Sequence, residues 1–303
     1  EMVRRHALIR RLSSVETLGS ATVICSDKTG TLTQNAMTVT RLWVDGHFID
    51  ISGTGYKPEG EFFHDGKKID LRDYPAALTA LWIGTLNNDA QLDQLTSETG
   101  EITHRIVGDP TEGSILVAAA KAGLVTETMH SAFPRSGEIP FDSVRKRMVT
   151  VHSLVDPRME IAPAAVAGRT EQYAIAVKGA PDVVLGLCTH YLDIDDRSVK
   201  PLDETAKQKI LSANDDLTKD ALRVLGVAYR VISALPEQED NDALEKDLIY
   251  AGLIGMIDPA RTEVKPALLN ARGAGIRTIM ITGDYPNTAR AIAQSISLLR
   301  PGH

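Results

Sequence analysis

Two periodicities divide this chain. Short runs rich in β-branched and aliphatic residues recur at 21–24, 39–44, 47–51, 148–151, 173–177, 222–229, 253–257 and 276–281. Runs of that length and composition predict strands. Asp45-Gly46 separates the second from the third, the pairing that closes a hairpin with a tight two-residue turn. Apolar residues at helical spacing predict helices over 75–87 (Leu78, Leu81, Trp82, Thr85) and 202–217 (Leu202, Ala206, Ile210, Leu217), and over 285–299 (Ala289, Ile292, Ala293, Ile296, Leu299). Val264, Ala267, Leu268 and Ala271 mark a further helical face that ends at Gly273, and another helix starts at Pro181. The polar stretches 56–70, 91–101 and 156–170 read as loop, and the acidic stretch 236–247 as loop with a helix start.

Capping residues sharpen two boundaries. Asp109-Pro110-Thr111-Glu112 opens a helix of small and aliphatic residues that ends near Gly123. Asp109 suits the N-cap, Pro110 the first helical position, and Glu112 the acid of a capping box. Asp258-Pro259 offers the same cap ahead of the helix through Val264. The strand at 253–257, that helix and the strand at 276–281 form a strand–helix–strand unit, as a parallel sheet requires. Segments 15–37 and 256–303 thus read as pieces of one parallel α/β sheet, split by a large β-rich insertion.

Composition narrows the function classes. The 303 residues suffice for two domains, or for one with a large insertion. A net charge of −7 argues against a general nucleic-acid binder. Cys25 and Cys188 give neither a disulfide framework nor a metal-ligand spacing. Cys25, on a predicted strand, is expected to be a small buried filler. No apolar run approaches the ~18–20 residues that span a bilayer. The basic segment holding Arg4, Arg5, His6, Arg10 and Arg11 reads either as a solvated helix face or as a stalk below a membrane. The chain starts without Met inside that segment and reads as an excised cytoplasmic piece.

The chemistry concentrates at 21–33, Ala-Thr-Val-Ile-Cys-Ser-Asp27-Lys28-Thr29-Gly30-Thr-Leu-Thr. A strand here delivers Asp27 to its carboxyl end, where open α/β sheets place their ligands. A carboxylate so placed can attack a phosphoryl group and form an aspartyl-phosphate. Lys28 adds charge, Thr29 and Thr31 add hydroxyls, and Gly30 permits a tight backbone turn.

Residues 27–33 match the phosphorylation signature of the P-type ion-pumping ATPases, and Val-Glu-Thr-Leu-Gly at 15–19 matches the segment that precedes it there. Further motifs of that family follow in order. They are Gly-Asp-Pro-Thr-Glu ending at Glu112, Phe141 with Lys146 a few residues on, Lys178-Gly179-Ala180-Pro181, Arg223, Asp258-Pro259-Ala260-Arg261, and Thr282-Gly283-Asp284. Two positions depart from it: Ser143 stands where many pumps carry Arg, and Ala260 where many carry Pro. The chain resembles the calcium and sodium/potassium branch, its bacterial calcium-type members above all.

This resemblance implies a Rossmann-like phosphorylation domain of haloacid-dehalogenase type (1–37 with the stalk end, and 256–303, truncated). An α+β nucleotide-binding domain with an antiparallel sheet (38–255) interrupts it. It implies ATP and Mg²⁺ as cofactors. Asp27 receives the phosphoryl group, Lys28, Thr29, Thr282, Gly283 and Asp284 complete the catalytic site, and Mg²⁺ sits on Asp27 and the Thr29 carbonyl. Thr111, Glu112, Phe141, Lys146, Lys178, Gly179, Ala180, Arg223, Asp258 and Arg261 bind the nucleotide. The implied partners are ATP or ADP and the transmembrane and actuator domains of the same pump, at the cytoplasmic face of a membrane, with the transported cation bound elsewhere.

Two rivals stand beside this reading. A soluble phosphatase of the same superfamily places a second Asp two residues after its nucleophile, where this chain has Thr29. A non-catalytic ATP-binding module fits the absence of a downstream Lys and of a Gly-Asp-Gly-x-Asn-Asp string before His303. On that ground the fragment alone is expected to be nearly inactive.

Overall fold

The computed structural model describes residues 19–97, 100, 102–155, 166, 170–194, 198–236, 241–283 and 286–299. The basic segment 1–18, Asp284 and nearly all of the predicted 156–170 loop lie outside them. The chain forms two compact units, one of Ala36–Asp258 and one of Glu1–Asn35 with Pro259–His303.

The larger unit is built on an eleven-stranded sheet among the described residues. Its first hairpin joins β2 (Thr38–Val44) to β3 (His47–Ile51). Asp45 (φ 43°) and Gly46 (φ 88°) are both left-handed, as a turn matched to the strand twist demands. The predicted loop over 56–70 holds a second hairpin instead, β4 (Phe62–His64) with β5 (Lys67–Ile69). Its turn repeats the device at Asp65 (φ 50°) and Gly66 (φ 73°). The predicted loop over 91–101 is likewise replaced by an antiparallel pair outside the main sheet, β6 (Gln91–Thr96) with β7 (Ile102–Val107).

The sheet continues through β8 (Arg135–Asp142), β9 (Arg147–Ser153), β10 (Tyr173–Gly179), β11 (Cys188–Leu192), β12 (Val199–Pro201), β13 (Arg223–Ile232) and β14 (Leu248–Ile257). Along the sheet the order is β5-β4-β3-β2-β14-β13-β10-β9-β8, with β11 and β12 attached beside β14. The β11–β14 pair is parallel and the other pairs are antiparallel. The expected role of 253–257 is corrected here. That run is the end of β14 and pairs antiparallel with β13 and β2, so it is not a strand of the parallel pair.

Alternation sorts the strand side chains to two faces. Ala174 and Ala176 join Leu42, Ile254 and Tyr229 in one core, while Ile175 and Val177 join Trp43, Ala228 and Leu253 in the other. Helices α1 (Pro75–Leu86), α2 (Pro110–Lys121) and α3 (Thr126–Ala132) cover the first face. Helices α4 (Pro181–Gly186) and α5 (Glu204–Lys219) cover the second. Every residue of α1 is buried, so its spacing of large apolar residues describes only part of its packing. Helix α5 keeps a single apolar stripe, Ile210, Ala213 and Leu217, and Asp203 caps it through the Ala206 N–H. Burying Ile210 and Leu217 contributes roughly 1.5–3 kcal/mol each. A short α6 (Asn241–Leu244) precedes β14.

In the smaller unit, β1 (Val23–Asp27) pairs parallel with β15 (Arg277–Ile281), with Asp27 opposite Ile281. Helix α7 (Val264–Gly273) precedes β15 and α8 (Pro286–Ser295) follows it. The expected burial of Cys25 is corrected. In a pair of strands with few neighbours, Val23 and Ile24 remain 46% and 43% exposed, and Cys25 is exposed too. Asp258 caps no helix: α7 starts at Val264, and the Asp258 carboxylate accepts the Ala36 N–H at 3.2 Å.

Candidate functional site

A cleft of about 710 Å³ opens in the larger unit. Strand β10 and the start of α4 supply Lys178, Gly179 and Ala180, the N-terminus of α2 supplies Thr111 and Glu112, and β13 supplies Arg223. Phe141 and Lys146 come from β8 and the turn to β9. Eight of the ten residues expected to bind the nucleotide therefore share one cleft. Gly108, Asp109 and Pro181, from the same motifs, and Val224 and Leu225, from the predicted strand at 222–229, also line it, together with Asp89, which carried no sequence signal. Asp258 and Arg261 are not among its lining residues.

Lys178 is the most buried charge of the cleft, 7% exposed. Its ammonium donates to the Asn87 carbonyl and, at 2.5 Å, to Glu112 Oε1. Burial pushes its pKa down, and the Glu112 carboxylate opposes that shift. Asn87 is anchored in turn, its amide donating to the carbonyls of Met148 (3.0 Å) and Ala176 (2.7 Å). The other Glu112 oxygen accepts the Asp89 N–H at 2.9 Å. Asp109 does cap α2, accepting from the N–H groups of Thr111 and Glu112. Glu112, however, does not reach back as a capping box would; its carboxylate serves Lys178.

Gly179 is required by packing. A Cβ there would lie 2.4 Å from the Lys146 carbonyl and 2.8 Å from Arg147 Cα, closer than atoms pack. The observed constraint on this glycine is the turn stacked on it. That turn holds Lys146 in the left-handed region (φ 53°) and its carbonyl accepts the Ala180 N–H at 2.9 Å. On either side of Lys146, Arg145 and Arg147 bind the carboxylate of Glu245, itself only 4% exposed. Two of the three consecutive basic residues thus fasten the turn and present the third. Glu245 was not singled out in the sequence, because its partners lie about a hundred residues away.

Phe141 is 63% exposed. An aromatic ring left that open beside a cleft offers a flat apolar face without a protein partner on it. Arg223 donates to the Thr111 hydroxyl at 2.8 Å, which fixes its guanidinium at the cleft wall.

The smaller unit carries the other constellation. Asp27 ends β1, and Thr282 and Gly283 follow β15, so all three stand at the carboxyl ends of paired parallel strands. Thr29 is extended (φ −74°, ψ 123°) and Gly30 left-handed (φ 75°), which reverses the chain immediately after the carboxylate. The Gly30 N–H donates to the Thr33 hydroxyl, and that hydroxyl donates to the Lys28 carbonyl. Arg261 donates to the Gly30 carbonyl at 3.0 Å, and its own N–H donates to the Leu32 carbonyl. In this structure Arg261 holds the loop beside Asp27. Lys28 is buried, 6% exposed.

Among the described residues no helix is long and apolar enough to cross a membrane. Residues 78–263 match the family model described as P-type ATPase, cytoplasmic domain N. The chain is 38% identical over 298 residues to the calcium-transporting ATPase of Bacillus subtilis (strain 168), covering 98% of this chain and 31% of that protein. To the cation-transporting ATPase pma1 of Synechocystis sp. it is 39% identical over 306 residues, 99% of this chain and 31% of that one. To the probable cation-transporting ATPase F of Mycobacterium tuberculosis (strain H37Rv) it is 37% identical over 299 residues, with 98% and 30% covered. The chain spans about a third of the length of these relatives. With a family match over most of its length, this chain belongs to the P-type ATPases and carries their cytoplasmic domain N.

Proposed function

We infer that the cleft of the larger unit takes the adenosine end of ATP and that Asp27 of the smaller unit accepts its γ-phosphoryl group, in a cation pump of which this chain is a cytoplasmic part. The observation that carries this reading is the convergence of Phe141, Lys146, Lys178 and Arg223 on one cleft. The purine stacks on Phe141, and Lys146, Lys178 and Arg223 face the ligand as cations. Thr29, in place of an acid two residues after the nucleophile, favours a phosphoenzyme that persists over a phosphatase. The smaller unit is then the split phosphorylation domain of haloacid-dehalogenase type, and Ala36–Asp258 the nucleotide-binding domain.

Phosphoryl transfer needs positioning and charge neutralisation above all. Lys28 and Thr29 hold the γ-phosphate next to Asp27, with Thr282 and Gly283 on the opposite strand end, and Arg261 keeps the loop in register. Mg²⁺ commonly takes one or two carboxylates and retains several waters. The exposed Asp27 carboxylate and the Thr29 carbonyl fit it, and the ion would neutralise charge on the transferring group. The name of the relative in Bacillus subtilis favours calcium as the cation moved by the whole pump.

Titration calorimetry with ADP tests the cleft. Phe141→Ala is the cleanest variant, because an exposed ring has little part in folding. Base–aromatic stacking is worth roughly 1–3 kcal/mol, so affinity should fall by about 5- to 150-fold. Asp27→Ala should bind ADP as the parent does. Equal affinity in the parent and Phe141→Ala would overturn the assignment.

A further inference from the structure

The far end of the same sheet carries a second constellation, unrelated to the cleft. His47 on β3 and His64 on β4 point to one face, since Ile49 lies opposite His64 and shares its face with His47. His47 Nδ1 and His64 Nε2 stand 3.1 Å apart. The other nitrogen of His64, Nδ1, lies 3.4 Å from the Tyr74 hydroxyl. Asp65, next in the chain, places Oδ2 3.9 Å from His64 Nε2, and its side chain is 88% exposed. A cavity of about 510 Å³ opens over both histidines and Tyr74, and Asp73 lies on its wall.

We propose that His47, His64 and Asp65 form a binding site for a divalent transition-metal ion of the zinc class. Two nitrogens bound to one tetrahedral Zn²⁺, each at about 2.0–2.1 Å, lie about 3.3 Å apart. The two rings share a hydrogen bond whose length is within a few tenths of an ångström of that value, so they need little displacement to share one ion in place of the proton. Among the described residues no group of three or more His, Cys, Asp or Glu is already assembled around a metal position; the third ligand has to be recruited. Asp65 is suited to this, because it sits in the hairpin turn at φ 50° with its carboxylate in solvent. Its Oδ2 stands 3.9 Å from His64 Nε2, and a side chain in solvent is free to turn toward an ion held by the two rings.

The contact of His64 Nδ1 with the Tyr74 hydroxyl agrees with this. A metal-bound imidazole usually engages its other nitrogen with a fixed polar group, which sets the tautomer. In the tautomer whose Nδ1–H donates to the Tyr74 oxygen, Nε2 of His64 carries a lone pair on the side of His47. When metal enters, the proton between the two rings moves to Nε2 of His47, and both imidazoles bind neutral. Two nitrogens and one carboxylate suit zinc and its transition-metal neighbours; Mg²⁺ and Ca²⁺ prefer all-oxygen shells. Water completes the coordination.

Competition of the 303-residue protein against a chromophoric zinc chelator, with zinc chloride as the titrant, tests the site. One zinc per chain is expected at this position, undisplaced by excess magnesium. His64→Ala and His47→Ala should each weaken it at least about tenfold, and Asp65→Asn severalfold. Asn suits the left-handed turn position at φ 50° as Asp does, so Asp65→Asn keeps the hairpin and retains a clean reading if a histidine variant is unstable. Zinc affinity unchanged in His64→Ala or Asp65→Asn, or zinc displaced by magnesium, would overturn the proposal.

Discussion

Lys178→Ala is expected to lower the unfolding free energy of the larger unit by about 3–5 kcal/mol, the usual cost of removing one partner of a buried ion pair. The loss comes from what remains. Glu112 keeps its Asp89 N–H bond but loses the ammonium that neutralises it, and the Asn87 carbonyl loses its donor. Urea unfolding of Lys178→Ala, Glu112→Gln and the double variant measures the coupling. The double variant should be less damaged than the two single losses added together. A single Lys178→Ala effect below about 1 kcal/mol would show that water reaches the pair freely and that the cleft is not closed around it. The same variant also loses ADP affinity, so stability has to be measured first; Phe141→Ala has no such confounding.

Acidification is expected to weaken the larger unit through His152. This ring is fully buried, with Nδ1 2.9 Å from the Phe133 carbonyl and Nε2 2.9 Å from the Thr150 hydroxyl. Burial lowers its pKa to about 4; the Phe133 carbonyl opposes the shift and the Arg135 charge adds to it. The sign follows. Below pH ~6.5 the unfolded chain protonates this histidine while the folded one does not, so stability falls as pH drops from about 6.5 to about 4. The full shift corresponds to about 3 kcal/mol. Urea midpoints for the parent and His152→Gln, followed from pH 7 to pH 4.5, should show a shallower slope in the variant. Parallel slopes would mean that the ring gains its proton without unfolding.

Local chemistry made much of this molecule legible. Asp45-Gly46 announced its hairpin, Asp109-Pro110 its helix, and the Lys178-Gly179-Ala180-Pro181 string its strand-to-helix turn, because in each case the cause lies within a few residues. The hairpin of β4 and β5 was hidden because its strands are three residues each and one reads Lys67-Lys68-Ile69. The Asp65-Gly66 turn was the signal that would have found it. Strand β6 was hidden by polarity, since Gln91, Asp93 and Gln94 occupy a pair that lies outside the main sheet. In the cleft, side chains carrying a motif were legible and their supports were not. Glu245, Asn87 and Asp89 act across long sequence separations, and nothing near them in the chain marks a partner. Asp258 shows the converse: a sound local rule for an N-cap gave way to a long-range acceptor for the Ala36 N–H.

That last bond has a wider meaning. The insertion enters at Ala36 and leaves at Asp258, and just inside these points Thr38 lies opposite Ile257 on adjacent strands. Once folded, its two ends are therefore held about one strand spacing, ~5 Å, apart. To the smaller unit, the intervening polypeptide then behaves as a connector of a few residues. Closing a disordered loop of about 220 residues in its place would cost about 3–4 kcal/mol more in chain entropy. The insertion thus works as an entropic clip for its host: whenever it folds, it brings the halves of a discontinuous sheet into each other's reach, and any lesion that melts it returns that cost to a unit whose core among the described residues is small.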